Sequence, residues 1–368
     1  MGRRVGTVSS TDDRQRIEMP YAAFITLSFV LVIISWLRPR YSGMCGILLL
    51  CVAIFFAGLR GASNDYGQYV LMFRTIRAST GSLLHKLLLG KDPLFGLLIL
   101  AIQSIGLRVQ ALFLAAATLT LCVKAKAFKR VFGSYTTPLF VLICTTYFLH
   151  EYTQIRVAIA VAFSFLGLIA LSERRKLWWA IFSIVAIGFH ISTLAVFLCE
   201  IPFALDQESP AILTTFVLGG LGTLAAMSHI FSVLTEIAAR VSEYRYDTDI
   251  DKHGLIVQVF KAVVLLGLNY VLIRDERDLV RKRLWKICIV LEAFGIGTFL
   301  VLMTRMPAIG FRISELMEAF GVFAISGAIF RRSYLSWSVA FSYCVGVLVT
   351  VTAGDLLMPY VLSTHAIW

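Results

Sequence analysis

The sequence predicts an all-α fold, a polytopic transmembrane helical bundle, and three observations predict it. Of the 368 residues, 58% are hydrophobic and 15% are charged, against about 45–50% and about 25% in an ordinary soluble domain. The apolar residues run in blocks of roughly 15–22, the length that crosses a hydrocarbon core. No alternating strand pattern competes, and a backbone in lipid must satisfy its own polar groups, which leaves helices. A soluble enzyme, a disordered chain and a nucleic-acid-binding domain are excluded.

The elements follow in order. A polar tail of mixed charge fills 1–19, and the first apolar block, 20–37, ends on Trp36-Leu37 and is followed by Arg38 and Arg40 rather than by a small-residue cleavage site. It is therefore expected to stay as the first helix. Further segments are expected at 42–59, 93–107, 109–127, 136–149, 154–172, 177–190, 191–204, 211–232, 254–273, 285–304, 313–330 and 334–353. The stretch 177–204 must cross twice, with a break near His190. A C-terminal tail, 354–368, closes the chain. No internal repeat is visible. Cys45, Cys51, Cys122, Cys144, Cys199, Cys288 and Cys344 lie in or beside apolar blocks without a CxxC pair and read as packing residues.

Charge orients the bundle. The net charge is +12, and four clusters carry much of it: Lys124, Lys126, Lys129 and Arg130; Arg174, Arg175 and Lys176; Arg274, Arg277, Arg281, Lys282, Arg283 and Lys286; Arg331 and Arg332. Lys and Arg accumulate on the cytoplasmic side. The turns at 149–154, near 190, at 232–253 and at 304–313 then face outward, as does the C-terminal tail, which has no Lys or Arg. Segment 93–107 is short and follows Asp92-Pro93. Reading it as a dip into the membrane puts the loop 60–92 outside; reading it as a full crossing puts that loop inside. The dip is preferred.

Arginines on the outward side run against this bias and need another reason to be there. They are Arg156, Arg240, Arg245, Arg305 and Arg312, joined by Arg60, Arg74 and Arg77 if the 60–92 loop is outside. Guanidinium suits phosphate through paired planar donors. Two readings stand. The arginines form a cradle for a lipid-linked pyrophosphate, or they snorkel to headgroups and pair with Glu151, Glu315 and Glu318. Lys261 and Glu292 sit deeper and either line a groove or pair structurally. His190, followed by Ser192, sits at the expected break on the side of Arg156. It is a candidate base or a satisfied cap. After Arg60-Gly61, Asp65 can cap a helix on which Tyr66, Tyr69 and Phe73 share one face. These rings stack on sugars or form an interfacial belt. Asp247-Thr248-Asp249 stands alone, and no metal is assigned.

Together these residues resemble the EpsG family of polysaccharide-biosynthesis membrane proteins, related in role to Wzy-type oligosaccharide polymerases. The family has Arg-Gly-x-x-x-Asp-Tyr-x-x-Tyr after an early helix, here Arg60-Gly61, Asp65-Tyr66 and Tyr69. Its acidic-Pro-Gly-Phe helix start corresponds to Asp92-Pro93-Leu94-Phe95, with Leu94 for Gly. Its helix-opening Arg corresponds to Arg156, and its Phe-His-Pro-Ser to Phe189-His190-Ile191-Ser192, with Ile191 for Pro. Arg312-Ile313 and Pro359-Tyr360 match late motifs, so the resemblance covers about residues 20–360.

The resemblance implies a GT-C-like bundle of about 11–13 membrane helices in the bacterial inner membrane. It would act as a metal-independent, cofactor-free glycosyltransferase that polymerises undecaprenyl-pyrophosphate-linked oligosaccharide repeat units. An O-antigen ligase and a lipid-linked glycan flippase are the alternatives. On this reading His190, Arg156 and Asp65 are catalytic, and Arg60, Tyr66, Tyr69, Arg305, Arg312, Ser192 and Lys261 bind substrate. Partners would be the lipid-linked glycans, membrane lipid, a chain-length regulator and a flippase, with no nucleic acid.

Overall fold

The computed structural model describes residues 11–237, 252–303, 306–331 and 333–353. Among the described residues, eight stretches are helical, long and apolar enough to cross a membrane, and five shorter apolar helices accompany them. The chain is a polytopic all-α membrane protein, as its composition predicts.

The first helix, α1 (Thr11–Leu37), begins inside the segment expected as a tail. It packs on α2 (Ser42–Gly58). Two helices then occupy the 60–92 loop, α3 (Tyr66–Ala78) and α4 (Leu83–Leu89). The segment expected to dip is α5 (Pro93–Ser104), twelve residues long, or about 18 Å, shorter than a full span. Its neighbour α6 (Val109–Phe132) is long and apolar enough to cross and ends on Gly133 in the left-handed conformation. Beyond it come α7 (Thr136–Thr145), α8 (Ile155–Ser172) and α9 (Lys176–Phe189). A 3-10 turn at Ile191–Thr193 and α10 (Leu194–Ala204) follow, so the stretch 177–204 runs out and back as two apolar helices, each shorter than a full span. Its break falls at His190, whose backbone is extended.

The second half contains α11 (Pro210–Ile237), α12 (Lys252–Asp275) and α13 (Leu279–Leu302). The span expected at 313–330 is two helices, α14 (Pro307–Glu318) and α15 (Gly321–Phe330). They part where the notional Cβ of Gly321 would lie 2.7 Å from Leu265 and 3.2 Å from Glu292 Oε1. Last is α16 (Tyr334–Ala353).

Ion pairs gather the basic clusters at one end of the bundle. Arg130 pairs with Glu173, Lys176 with Asp206 at 2.7 Å, Arg283 with Glu208 at 2.7 Å, and Arg331 with Asp275. Lys124 departs from this expectation. It is fully buried and pairs with the equally buried Glu151 in the turn between α7 and α8, so it belongs to the interior and not to a basic surface.

At the opposite end, aromatic rings pin that turn. Phe24 stacks on Phe56 at 4.3 Å, Tyr21 donates to Tyr152 Oη at 3.0 Å, and Tyr147 donates to the Ala53 carbonyl at 2.5 Å. Buried tyrosines need such partners, because an unpaired hydroxyl in an apolar interior is costly. All seven cysteines are free, and five of them are buried packing residues.

Candidate functional site

The site is built where α5, α8 and the α9–α10 break meet. The turn from α4 into α5 is tight: the notional Cβ of Gly96 would sit 2.8 Å from the Leu87 carbonyl oxygen, so only a bare Cα lets the two helices close. Lys91 takes a positive φ of 63° to make the turn, and Pro93 opens α5, where a missing N–H costs nothing. Asp92 stands at the N-cap but does not cap its own helix. Its carboxylate points away, buried to 3% exposure.

Three groups converge on that carboxylate. Arg156 Nη1 donates to Asp92 Oδ2 at 2.5 Å. His190 Nδ1 lies 3.4 Å from the same oxygen. The Ile191 backbone N–H donates to Oδ1 at 3.3 Å. Burial alone would raise the Asp92 pKa. The hydrogen bond and charge of His190, the charge of Arg156 and the Ile191 N–H more than offset this and hold it below the usual carboxylate range. The anion thus fixes an arginine from α8 and a histidine from the break at one point. Thr193 donates to the His190 carbonyl at 2.7 Å and steadies the 3-10 turn. Ser192 is half-buried beside it.

Other expected residues join this cluster. Tyr69 is buried beside Arg156. Asp65 is half-buried; burial raises its pKa, and Arg312, Arg156, Lys91 and Arg60 lower it in that order, with a net rise. Arg312, exposed on α14, is therefore the leading charge facing Asp65. Arg156 is the second residue of α8, whose N-terminal amides favour an anion. The structure brings Asp65, Tyr69, Arg156, His190 and Arg312 together, and adds Asp92 and Lys91. These two had a signal in the sequence, a charged pair before a proline at the start of an apolar block, which reads equally well as an ordinary helix start.

Other expectations separate from the cluster. Arg60 is sealed in, 0% exposed. Its guanidinium lies 4.7 Å from the Phe113 ring centroid and 5.2 Å from that of Tyr152, and donates to the Ala57 carbonyl. Burial lowers its pKa to about 10, so it stays cationic at neutral pH. The stripe of Tyr66, Tyr69 and Phe73 turns inward: Tyr66 stacks on Phe113 at 4.8 Å, and Tyr69 and Phe73 are each 3% exposed. Their shared face packs the core and does not present a row of open rings. Lys261 lies in a different cavity, bonded to Glu318 at 2.8 Å. Arg305 lies outside the described residues, as do Arg240, Arg245, Asp247 to Asp249 and Pro359-Tyr360.

Beside the cluster, a cavity of about 470 Å³ is lined by Tyr66, Arg74, Arg77 and Arg108 with no acidic residue. These three arginines are exposed, and their mutual repulsion favours an anion between them. The arrangement as a whole can hold phosphate at Arg156 and Arg312 and can offer His190 as a proton acceptor oriented by Asp92.

In comparison with known proteins, the family profile described as EpsG family matches residues 43–362. No curated protein and no solved structure matches.

Proposed function

Because the chain belongs to the EpsG family, we propose that it is a glycan polymerase working on polyprenyl-pyrophosphate-linked repeat units at the outer face of a bacterial inner membrane. The observation that carries this reading is the Asp92–Arg156–His190 cluster. It sits opposite the end where the basic clusters gather, where orientation does not call for an arginine.

Transfer of a glycan from a pyrophosphate carrier breaks the bond between the anomeric carbon and the phosphate oxygen. The electron pair of that bond leaves with the pyrophosphate, and fixed cations there lower the barrier. Arg156 is held for that role by Asp92 and by the start of α8, and Arg312 faces it across Asp65. The attacking hydroxyl of the acceptor sugar loses its proton to His190 Nε2, while Asp92 orients the ring through Nδ1. Lys91 with Arg156 and Arg312 outnumbers Asp65 and Asp92, three cations to two carboxylates, which suits a dianionic leaving group. The cavity of Arg74, Arg77 and Arg108 gives the second carrier's headgroup a place beside the first.

The test is the glycan made by a strain whose chromosomal copy is deleted and replaced by variants. Arg156→Ala and Arg312→Ala are expected to leave single repeat units in place of long chains, with the protein still accumulating in the membrane. Normal chain length in both variants overturns the reading. Complete loss of attached glycan, without single-unit capping, points to a ligase or a flippase instead.

A further inference from the structure

A second cavity, of about 390 Å³, opens where the end of α7 meets α12, α14 and α16. Its lining follows from helical spacing. Phe311, Glu315 and Glu318 fall at i, i+4 and i+7 on α14, and Gln258 and Lys261 at i and i+3 on α12. Lys261 Nζ donates to Gln258 Oε1 at 3.0 Å and to Glu318 Oε2 at 2.8 Å, and Tyr343 donates to Glu318 Oε1 at 2.9 Å. Two lining groups are left over: Thr146 Oγ1 and Gln258 Nε2 are buried without a hydrogen-bond partner among the described residues. Thr146 is 5% and Gln258 3% exposed. Buried polar groups are ordinarily paired, so an orphan acceptor–donor hydroxyl and an orphan amide donor lining one cavity point to a ligand that completes them.

We propose that this cavity binds a neutral, hydroxyl-rich ligand, the terminal sugar of the acceptor glycan, and so rests on the polymerase reading above. The chemistry selects that class. A lipid tail offers no partner for an amide, two carboxylates, an ammonium and hydroxyls. An anion meets Glu315 and Glu318 against a single lysine. A cation meets Lys261 already seated on Glu318. Sugar hydroxyls donate and accept at once, as Gln258 Nε2 and Thr146 Oγ1 require, and Phe311 offers an apolar surface to a pyranose face. The cavity also lies beside the phosphate cluster. Arg312, which faces Asp65, and Glu315, which lines the cavity, are one turn apart on α14. An acceptor sugar held there stands next to the leaving pyrophosphate of the donor.

The experiment reads occupancy and activity separately. The probe is the repeat-unit glycan itself, released by mild acid from the lipid carriers that accumulate in a deletion strain. Purified full-length protein in lipid nanodiscs carries Thr350→Cys at the cavity rim, and a membrane-impermeant thiosulfonate labels it against a blank without that substitution. Added glycan is expected to slow labelling by about fivefold or more. Gln258→Leu and Thr146→Val are expected to weaken protection and to lower polymer yield by about tenfold, the effect of losing one buried hydrogen bond to the ligand. A labelling rate unchanged by millimolar glycan overturns the proposal, and so does wild-type polymer from both variants. The labelling arm stands even if a cavity variant fails to accumulate. Arg156→Ala separates the two readings. If it makes no polymer but its Thr350→Cys form is still protected by glycan, both stand. Normal polymer from Arg156→Ala and Arg312→Ala defeats the polymerase reading whatever the cavity binds.

Discussion

Asp92 turns its carboxylate from its own helix to three neighbours, and one of them depends on a residue at which this chain departs from the family pattern. Where the family pattern has proline after the histidine, this sequence has Ile191, and the Ile191 N–H donates to Asp92 Oδ1. A proline there would have no N–H to give. The departure therefore adds a tie that holds the helix break to α5. Arg60 shows the opposite lesson. Its motif position was plain in the sequence, but nothing in a string of residues says that Phe113 and Tyr152 close over its guanidinium. His150 ties protonation to stability. It is buried in the turn between α7 and α8, near the Glu315 backbone and Gln154 but without a hydrogen bond of normal geometry on either ring nitrogen. Burial, with the nearby Lys124 charge, lowers its pKa to about 3. The unfolded chain, with an ordinary histidine near 6.5, binds the extra proton first as pH falls. The stability that His150 supports is full above about pH 6.5 and is lost progressively toward pH 3. The expected outcome is a melting temperature in detergent that falls between pH 6.5 and 4, with a shallower slope in His150→Asn. An unchanged slope in that variant refutes the assignment.

At the scale of elements, long helices were legible and short ones only by implication. The segments expected at 109–127 and 285–304 are mostly apolar over more than 18 residues, and sequence finds them because burial and lipid demand the same residues. The break inside 307–330 was hidden, since Glu318-Ala319-Phe320-Gly321 carries no proline and reads as one apolar helix. At that break Leu265 and Glu292 approach Gly321 from other helices, a tertiary contact that no local pattern shows. The packing of α9 on α5 is a further case. Leu94 stands where the family has glycine, and Gly188 on α9 supplies the missing space: its notional Cβ would lie 2.7 Å from Leu94 Cγ and Cδ1. Gly188→Val is therefore expected to cost about 1–3 kcal/mol by overpacking and to draw His190 away from Asp92. Leu94→Ala added to it is expected to restore most of the loss. Thermal unfolding of the single and double variants measures both, and additive effects would show that the two residues do not share the contact.

For the whole molecule, charge placement was the most informative part of the sequence. The ion pairs that link Arg130 to Glu173, Lys176 to Asp206 and Arg331 to Asp275 put the basic clusters at one end, and the phosphate-suited cluster lies at the other. Orientation in the membrane follows as a prediction. Ser192→Cys is expected to react with an impermeant maleimide from the periplasm, and Ser333→Cys only after lysis; the reverse pattern inverts the bundle and removes the basis for an outer-face enzyme. The site was half legible at this scale, because the outward arginines could be counted but the convergence of Arg156 and His190 on Asp92 could not. The exception to the charge pattern has its own consequence for how the chain is made. Lys124 enters the bilayer on α6 before its partner Glu151 has been synthesised, and a lone lysine deep in a helix is costly to insert, by about 2.5–3.5 kcal/mol at its centre. The pair can close only when the turn after α7 arrives. Insertion of the first half is thereby tied to translation beyond residue 151, so α6 is held provisionally at the membrane until α7 and α8 are there to receive it.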